Sequence, residues 1–306
     1  MTTVSVIIPT LNRQSVMRDT IRMLAAQDYP HCGFIVVDQT EGRDFQLEKQ
    51  IESLGTRFKY IRMEKPNLPA ARNVGIRNAS GELILFIDDD VVLGHDFVSL
   101  HARAHREGRN VGAVTGLVLD TDRPIEESFE WCRRAFGVPD VKGGGVFEVS
   151  WAFGGNTSYL RSALMDAGLF DEHFRGCAIG EDNDLSERVK RKGYRLLLDT
   201  RIQMQHLHLS SGGCEVRNVI EQKRVYVEHF ELNLYRFMKR FAMRPSFQSA
   251  YIVLTTLRTF SLSRSLLRQG IRAVIQREVE CVGIVARVVK AVCVSLWSTQ
   301  RLRAGQ

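Results

Sequence analysis

The sequence predicts an α/β domain, a mostly parallel sheet with helices on both faces, followed by a basic, mainly helical C-terminal region. Three observations predict it. Short β-branched apolar runs alternate with stretches of helical periodicity from Val4 to Leu119. Two of those runs end in acids, at Asp38 and at Asp88-Asp89-Asp90. From about Glu215 onward the strand signal stops and only helical spacing remains. Alternating strands and helices bury a sheet on both faces, and ligands of such sheets sit at the carboxyl ends of the strands.

The elements follow in order. Val4-Ser5-Val6-Ile7-Ile8-Pro9 is a buried strand closed by proline. Asn12 is placed to cap a helix with Val16, Ile21 and Leu24 on one side, ending near Tyr29-Pro30. Phe34 to Asp38 is a second strand, Phe45 to Leu54 a helix, Phe58 to Met63 a strand, Ala70 to Asn78 a helix, and Leu83 to Ile87 a strand. Val111 to Leu119 continues the sheet. Residues 120 to 150, polar and carrying Gly143-Gly144-Gly145, read as a loop or flap. Leu185 to Lys192 is a helix opened by acids, and Arg195 to Met204 a last strand.

Composition narrows the class. The chain has 306 residues, 44% hydrophobic and 25% charged, enough for one large domain with an appendage. Its six cysteines are scattered without a C-x-x-C pair, which argues against zinc fingers and disulfide frameworks. The opening MTTVSVIIPT has no basic, apolar leader, and no long uncharged apolar run occurs. These features point to the cytoplasm. The net charge of +7 is local: Arg240 onward holds 11 basic against two acidic residues, and the first 239 residues balance at 31 against 33. A basic tail points to an anionic surface and does not mark a nucleic-acid enzyme.

Several places have the residue types for chemistry. In an extended chain Asp88 and Asp90 point the same way, and clustered carboxylates call for a cation such as Mn²⁺ or Mg²⁺ unless they merely form an acidic turn. Asp38 is either a turn residue or an acceptor for a nucleobase imide or ribose hydroxyl. Asn67-Leu68-Pro69-Ala70-Ala71-Arg72 puts an arginine in a first helical turn, suited to phosphate or to a surface ion pair. Gly154-Gly155-Asn156 permits close approach of a substrate, or is a simple turn. Glu181-Asp182-Asn183-Asp184 offers a general base, or acids favoured by a helix N-terminus. His206 and His208 present both rings to one side, so that one completes a metal site or contacts a diphosphate.

The order of these pieces closely resembles glycosyltransferase family 2. Ser5 to Arg13, Val36-Val37-Asp38, Ala71 to Gly75, Asp88 to Asp90, Gly155-Asn156, Arg161, Gly168 to Glu172, Gly180-Glu181-Asp182 and His206 carry the resemblance, over residues 4 to 213. It implies a Rossmann-like GT-A fold in a catalytic domain at residues 1–213, with the basic region at 214–306. It also implies inverting transfer of a sugar from a UDP- or dTDP-linked donor to a glycan or lipid-linked acceptor hydroxyl, in cell-surface polysaccharide or glycolipid synthesis. Asp38 would bind the nucleobase. Pro9, Thr10, Asn12, Arg13, Arg72, Asp88 and Asp89 would border the nucleotide, with Asp88 near the ribose. Asp90 and His206 would hold Mn²⁺ or Mg²⁺. Gly155 and Asn156 would shape the sugar and acceptor site. Asp182 would be the base, with Glu181 supporting it or sharing the role; Asp184, about 200° round the helix, should not act alike.

Two other classes compete. A sugar nucleotidyltransferase would show a Gly-rich, cationic phosphate loop after the first strand, where this chain has Pro9 to Arg13. A non-catalytic sugar-nucleotide or glycan-binding protein would tolerate loss of the acids, and both clusters are intact. In the tail, Arg264, Arg268 and Arg272 alternate with Ile271, Ile275, Val279 and Val282. That pattern suits either a peripheral helix on the cytoplasmic face of an anionic inner membrane or a subdomain packed in a homodimer.

Overall fold

The computed structural model describes residues 2–174, 176, 178, 180–209 and 213. They fall within the first of two units, Met1–Gln222. The expected helical tail, its membrane or dimer role and the 213/214 boundary lie outside the described residues.

Strand β1 (Val4–Thr10) is buried throughout. It pairs in parallel with β2 (Cys32–Asp38) and β4 (Leu83–Ile87), and β3 (Phe58–Arg62) extends β2 in parallel. Successive side chains of a strand face opposite sides. Val6 and Ile8 accordingly enter one apolar layer with Met17, Ile21 and Leu24, and Ile7 enters another with Ala71 and Ile76. Pro9 lies just beyond the stretch paired to β4, so its missing N–H empties no ladder bond there.

Helix α1 (Gln14–Ala25) buries Met17, Thr20, Ile21 and Leu24 at helical spacing. Asn12 does not cap it: Arg13 holds the cap position, and Asn12 takes a left-handed φ of 58°. Asp44 caps α2 (Phe45–Ser53) and Asn67 caps α3 (Leu68–Asn78) through side-chain oxygens.

The sheet order is β3-β2-β1-β4-β8-β6-β9-β5. Its second half consists of β5 (Val91–Leu93), β6 (Val111–Asp120), β7 (Val146–Glu148), β8 (Asn156–Leu160) and β9 (Arg195–His206). The parallel character belongs to β1 to β4 and to the β6–β9 pair. β8 runs antiparallel to β4 and β6, and β5 and β7 run antiparallel to β9.

Sequence periodicity missed α4 (Phe97–Glu107) and α5 (Ile125–Phe136), and α5 replaces part of the expected loop at 120 to 150. Both bury polar residues in their core stripes, His101 in α4 and Ser128 with Cys132 in α5, which blurs the apolar signal. Helices α6 (Arg161–Ala167) and α7 (Glu181–Arg191) complete the described fold. Among the described residues no helix is long and apolar enough to cross a membrane.

Candidate active site

Strand register builds the site. Thr10 lies beside Asp38, Ile87 opposite Asn156, Val91 opposite His206, and Asp120 beside His206. The carboxyl ends of β1, β2, β4, β6 and β9 and the loop before β8 thereby supply the candidate residues.

At one end, the buried Asp38 carboxylate accepts hydrogen bonds from the Thr40 N–H at 2.8 Å, Gln14 Nε2 at 3.1 Å and the Tyr60 hydroxyl at 2.6 Å. Burial, reinforced by that bond to Asp38, raises the Tyr60 pKa, so the phenol stays a donor. Neither Tyr60 nor Gln14 was singled out from the sequence; each is recognisable only through what it touches.

The acids after β4 divide by direction. Asp89 faces inward, accepting from Thr10 Oγ1 at 2.6 Å and Arg13 Nη1 at 3.1 Å. Burial lifts its pKa to about 6 against the pull of Thr10 and Arg13. Thr10, Arg13 and Asp89, expected to border a nucleotide, thus form an internal clasp. Arg13 also reaches Asp90 Oδ2 at 3.0 Å and the Leu209 carbonyl at 2.8 Å. Asp88 and Asp90 both approach His206 Nε2, at 3.8 and 3.3 Å. The Oδ1 of Asp90 is buried and accepts no hydrogen bond. An orphaned carboxylate oxygen facing an imidazole is costly without a cation, and this donor set fits a divalent ion. His208 stacks on His206 with ring centroids 4.1 Å apart, and its Nε2 lies 2.5 Å from Asp120 Oδ1. Asp120 was overlooked in the sequence, although its strand, like β2 and β4, is an apolar run ending in an acid.

At the other end, α7 begins after Gly180, whose φ of 93° suits glycine. Glu181 Oε1 meets Arg72 Nη1 at 2.5 Å, both side chains buried. The Arg72 guanidinium also lies 5.2 Å from the Phe170 ring centre. Arg72, expected near phosphates, is therefore tied to the Glu181-Asp182 motif. Half-buried Asp182 accepts the Gly154 N–H through Oδ2 at 3.3 Å. Burial raises the pKa of Asp182, with Arg72 opposing; burial and the charge of Asp182 raise that of Glu181. Asp184 turns away, pairing with Arg188 Nη2 at 2.8 Å with its side chain 1% exposed.

Gly154 and Gly155 join the two ends. A Cβ on Gly155 would sit 2.1 Å from Asp88 Oδ2, and one on Gly154 would sit 2.9 Å from Arg72 Nη2. Gly155, expected to shape the sugar and acceptor site, lies against the Asp88 carboxylate. Asn156 is a correction: its side chain is fully buried, Nδ2 donating to the Leu117 carbonyl and Oδ1 facing His101 Nε2 at 3.0 Å. Strand alternation turns it into the core, away from any acceptor.

The sequence profile of glycosyl transferase family 2 matches residues 5–165, more than half of the chain. The chain belongs to glycosyl transferase family 2. Among curated proteins, the chain is similar to glycosyltransferase GlyA of Streptococcus pneumoniae, 30% identical over 31% of this chain and 14% of that protein. Validoxylamine A glucosyltransferase of Streptomyces hygroscopicus is 28% identical over 62% of this chain and 48% of that protein. O-antigen biosynthesis protein RfbC of Myxococcus xanthus is 26% identical over 66% and 17%. The first curated relatives are matched over only 14 to 19% of their own length. Among solved structures, Staphylococcus aureus TarS 1-349 in complex with UDP-GlcNAc aligns at TM-score 0.61 and 17% identity, over 95% of this chain and 81% of that one. The mannosyltransferase PcManGT from Pyrobaculum calidifontis, in complex with GDP-Man and Mn²⁺, aligns at 0.59 and 15%, over 97% and 88%. At such identities the likeness is one of fold, and the expected GT-A fold stands.

Proposed function

We propose that this chain transfers a sugar, with inversion, from a nucleotide-diphosphate sugar to an acceptor hydroxyl. One observation carries the proposal. Gly154-Gly155 joins a cation-seeking end (Asp88, Asp90, His206) to an end with a carboxylate of raised pKa (Asp182). Inverting transfer needs those two functions on either side of one anomeric carbon.

In this reading Asp38 and Tyr60 bind the nucleobase and ribose of a UDP- or dTDP-linked donor. Asp90 and His206, with Asp88 beside them, hold Mn²⁺ or Mg²⁺. When bound, the ion stabilises negative charge on the departing diphosphate as a Lewis acid. Asp182 takes the acceptor proton as the acceptor oxygen forms its bond to the anomeric carbon. The bond from that carbon to the phosphate oxygen breaks, and its electron pair leaves with the diphosphate. Burial makes Asp182 a stronger base, and the charge of Arg72 opposes that rise and favours the ionised form. Glu181 anchors Arg72 in that position. Gly155 leaves room for Asp88 to stand against the backbone. Alignment of donor and acceptor supplies much of the remaining rate.

We assign the acceptor to a glycan or lipid-linked saccharide of the cell surface. The support is the role named for relatives such as the O-antigen protein and the poly(ribitol-phosphate) transferase TarS, together with the basic tail. The deciding assay is donor hydrolysis without acceptor, screening UDP-, dTDP- and GDP-sugars with Mn²⁺ or EDTA. Release of one nucleotide, lost with EDTA and in Asp90→Ala, is the expected result. Absence of both turnover and calorimetric binding for every donor rejects the proposal; tight binding without turnover in the presence of saccharide acceptors favours a binding protein.

A further inference from the structure

We infer that the half-exposed indole of Trp131 is the platform on which a pyranose ring of the acceptor stacks, so that the acceptor is a cyclic saccharide and not an open-chain polyol. The inference rests on the proposed function and deepens it by naming the acceptor's class.

Trp131 lies on α5 and is 41% exposed, the one exposed tryptophan among the described residues. A large apolar ring left in water marks a binding surface when it is held in place and adjoins a site. Both conditions are met. The Trp131 ring meets Phe153 edge to face, with centroids 5.9 Å apart and planes at 85°. Phe153 packs on Trp151 at 6.0 Å, and Trp151 stacks on buried Phe136 at 4.9 Å. Trp151 Nε1 donates to the Ala135 carbonyl at 3.1 Å, which fixes that ring in turn. The row of rings is thus anchored in the core at Phe136 and ends in water at Trp131. Its backbone leads into the site: the residue after Phe153 is Gly154, whose N–H donates to Asp182 Oδ2 at 3.3 Å.

The chemistry of the two ends of the site selects the occupant. The end with Asp88, Asp90 and His206 carries charge and suits a diphosphate with its ion, so the acceptor enters beside Asp182. A pyranose ring has an apolar face of C–H bonds and a rim of hydroxyls. The face matches an indole, and exposed Glu127, one helical turn before Trp131, offers oxygens to the rim. An open-chain polyol phosphate has no such face. The competing account is that a second copy of the chain covers Trp131.

The test records saturation-transfer NMR spectra of the full chain with methyl hexopyranosides and with ribitol 5-phosphate, in the presence of UDP or dTDP and MnCl₂. Saturation of at least one pyranoside is expected, strongest for the protons of one ring face, and none of ribitol 5-phosphate. That pyranoside then serves as acceptor. Trp131→Ala should raise its KM about 10-fold, the loss of one stacked ring, with a far smaller change in donor KM. Trp131→Phe should recover most of the loss. Met165→Ala, which removes a more exposed apolar side chain from α6, should change neither KM. Saturation of ribitol 5-phosphate alone overturns the inference, as does an acceptor KM unmoved in Trp131→Ala. So does a sedimentation profile in which Trp131→Ala dissociates a dimer while the pyranoside signal persists. Pyranoside saturation lost in Trp131→Ala, without turnover of any sugar nucleotide, rejects the functional reading and leaves the platform standing; turnover with an acceptor KM indifferent to Trp131 does the reverse.

Discussion

Gly155→Ala tests the junction of the two ends. The added methyl would lie 2.1 Å from Asp88 Oδ2 and 2.6 Å from its Cγ. Ordinary contact between such atoms begins at about 3.5 Å, so the carboxylate must retreat by more than about 1 Å. Gly155 is not among the residues with positive φ, so alanine suits its backbone and the cost is steric. The Asp88 side chain is 30% exposed and is able to rotate towards solvent, so the fold should survive. A displacement of about 1 Å at a reacting centre costs on the order of 100-fold in rate. Donor hydrolysis with Mn²⁺ should therefore fall about 100-fold, while the thermal midpoint drops by no more than about 4 °C, the shift expected from roughly 1 kcal/mol. Wild-type hydrolysis in a folded variant would refute the claim that Gly155 positions Asp88. A collapse of the thermal midpoint would refute the claim that Asp88 yields freely.

Other expectations follow the same logic. Asp182→Asn should lower transfer about 100- to 10,000-fold with donor binding retained by calorimetry, whereas Asp184→Asn should spare kcat and lower the denaturation midpoint; the opposite split would move the base to Asp184. Arg72→Gln strips a buried carboxylate of its partner, so about 3 to 5 kcal/mol of stability should be lost in urea titrations, and the acid limb of the pH–rate profile should move upward because Arg72 lowers the Asp182 pKa; an unmoved limb would count against Asp182. Burial lowers His101 to about 3 and His105 to about 4 from 6.5. Their neutral forms support the fold above pH 6.5, and that support is lost as pH falls towards the folded-state values. The stability difference between wild type and His101→Gln should therefore shift against wild type by ~1.4 kcal/mol per pH unit between about pH 6 and 4.5; a flat difference would mean that His101 is charged in the fold. Replacing Arg264, Arg268 and Arg272 with Gln should reduce sedimentation with phosphatidylglycerol vesicles and leave donor hydrolysis unchanged; equal recovery would remove the membrane role.

The sequence by itself determined the first half of the sheet and the identity of its chemistry-bearing ends. Val4 to Pro9, Phe34 to Asp38 and Leu83 to Asp90 are continuous apolar runs closed by proline or acids, and that signal is local. The 200° between Asp182 and Asp184 likewise follows from helical pitch, and Asp184 does turn to Arg188. Only tertiary structure decided what each polar group meets. Asn156 and Asp88 lie in adjoining segments of an antiparallel pair, yet strand alternation sends the amide into the core while the carboxylate stays half-exposed at the crevice. Arg72 and Glu181 are 109 residues apart, and His208 and Asp120 88 apart, so no periodicity links them. The physical reason is register. Pairing between strands distant in sequence sets which side chains become neighbours, and a one-residue slip would send each to the opposite face.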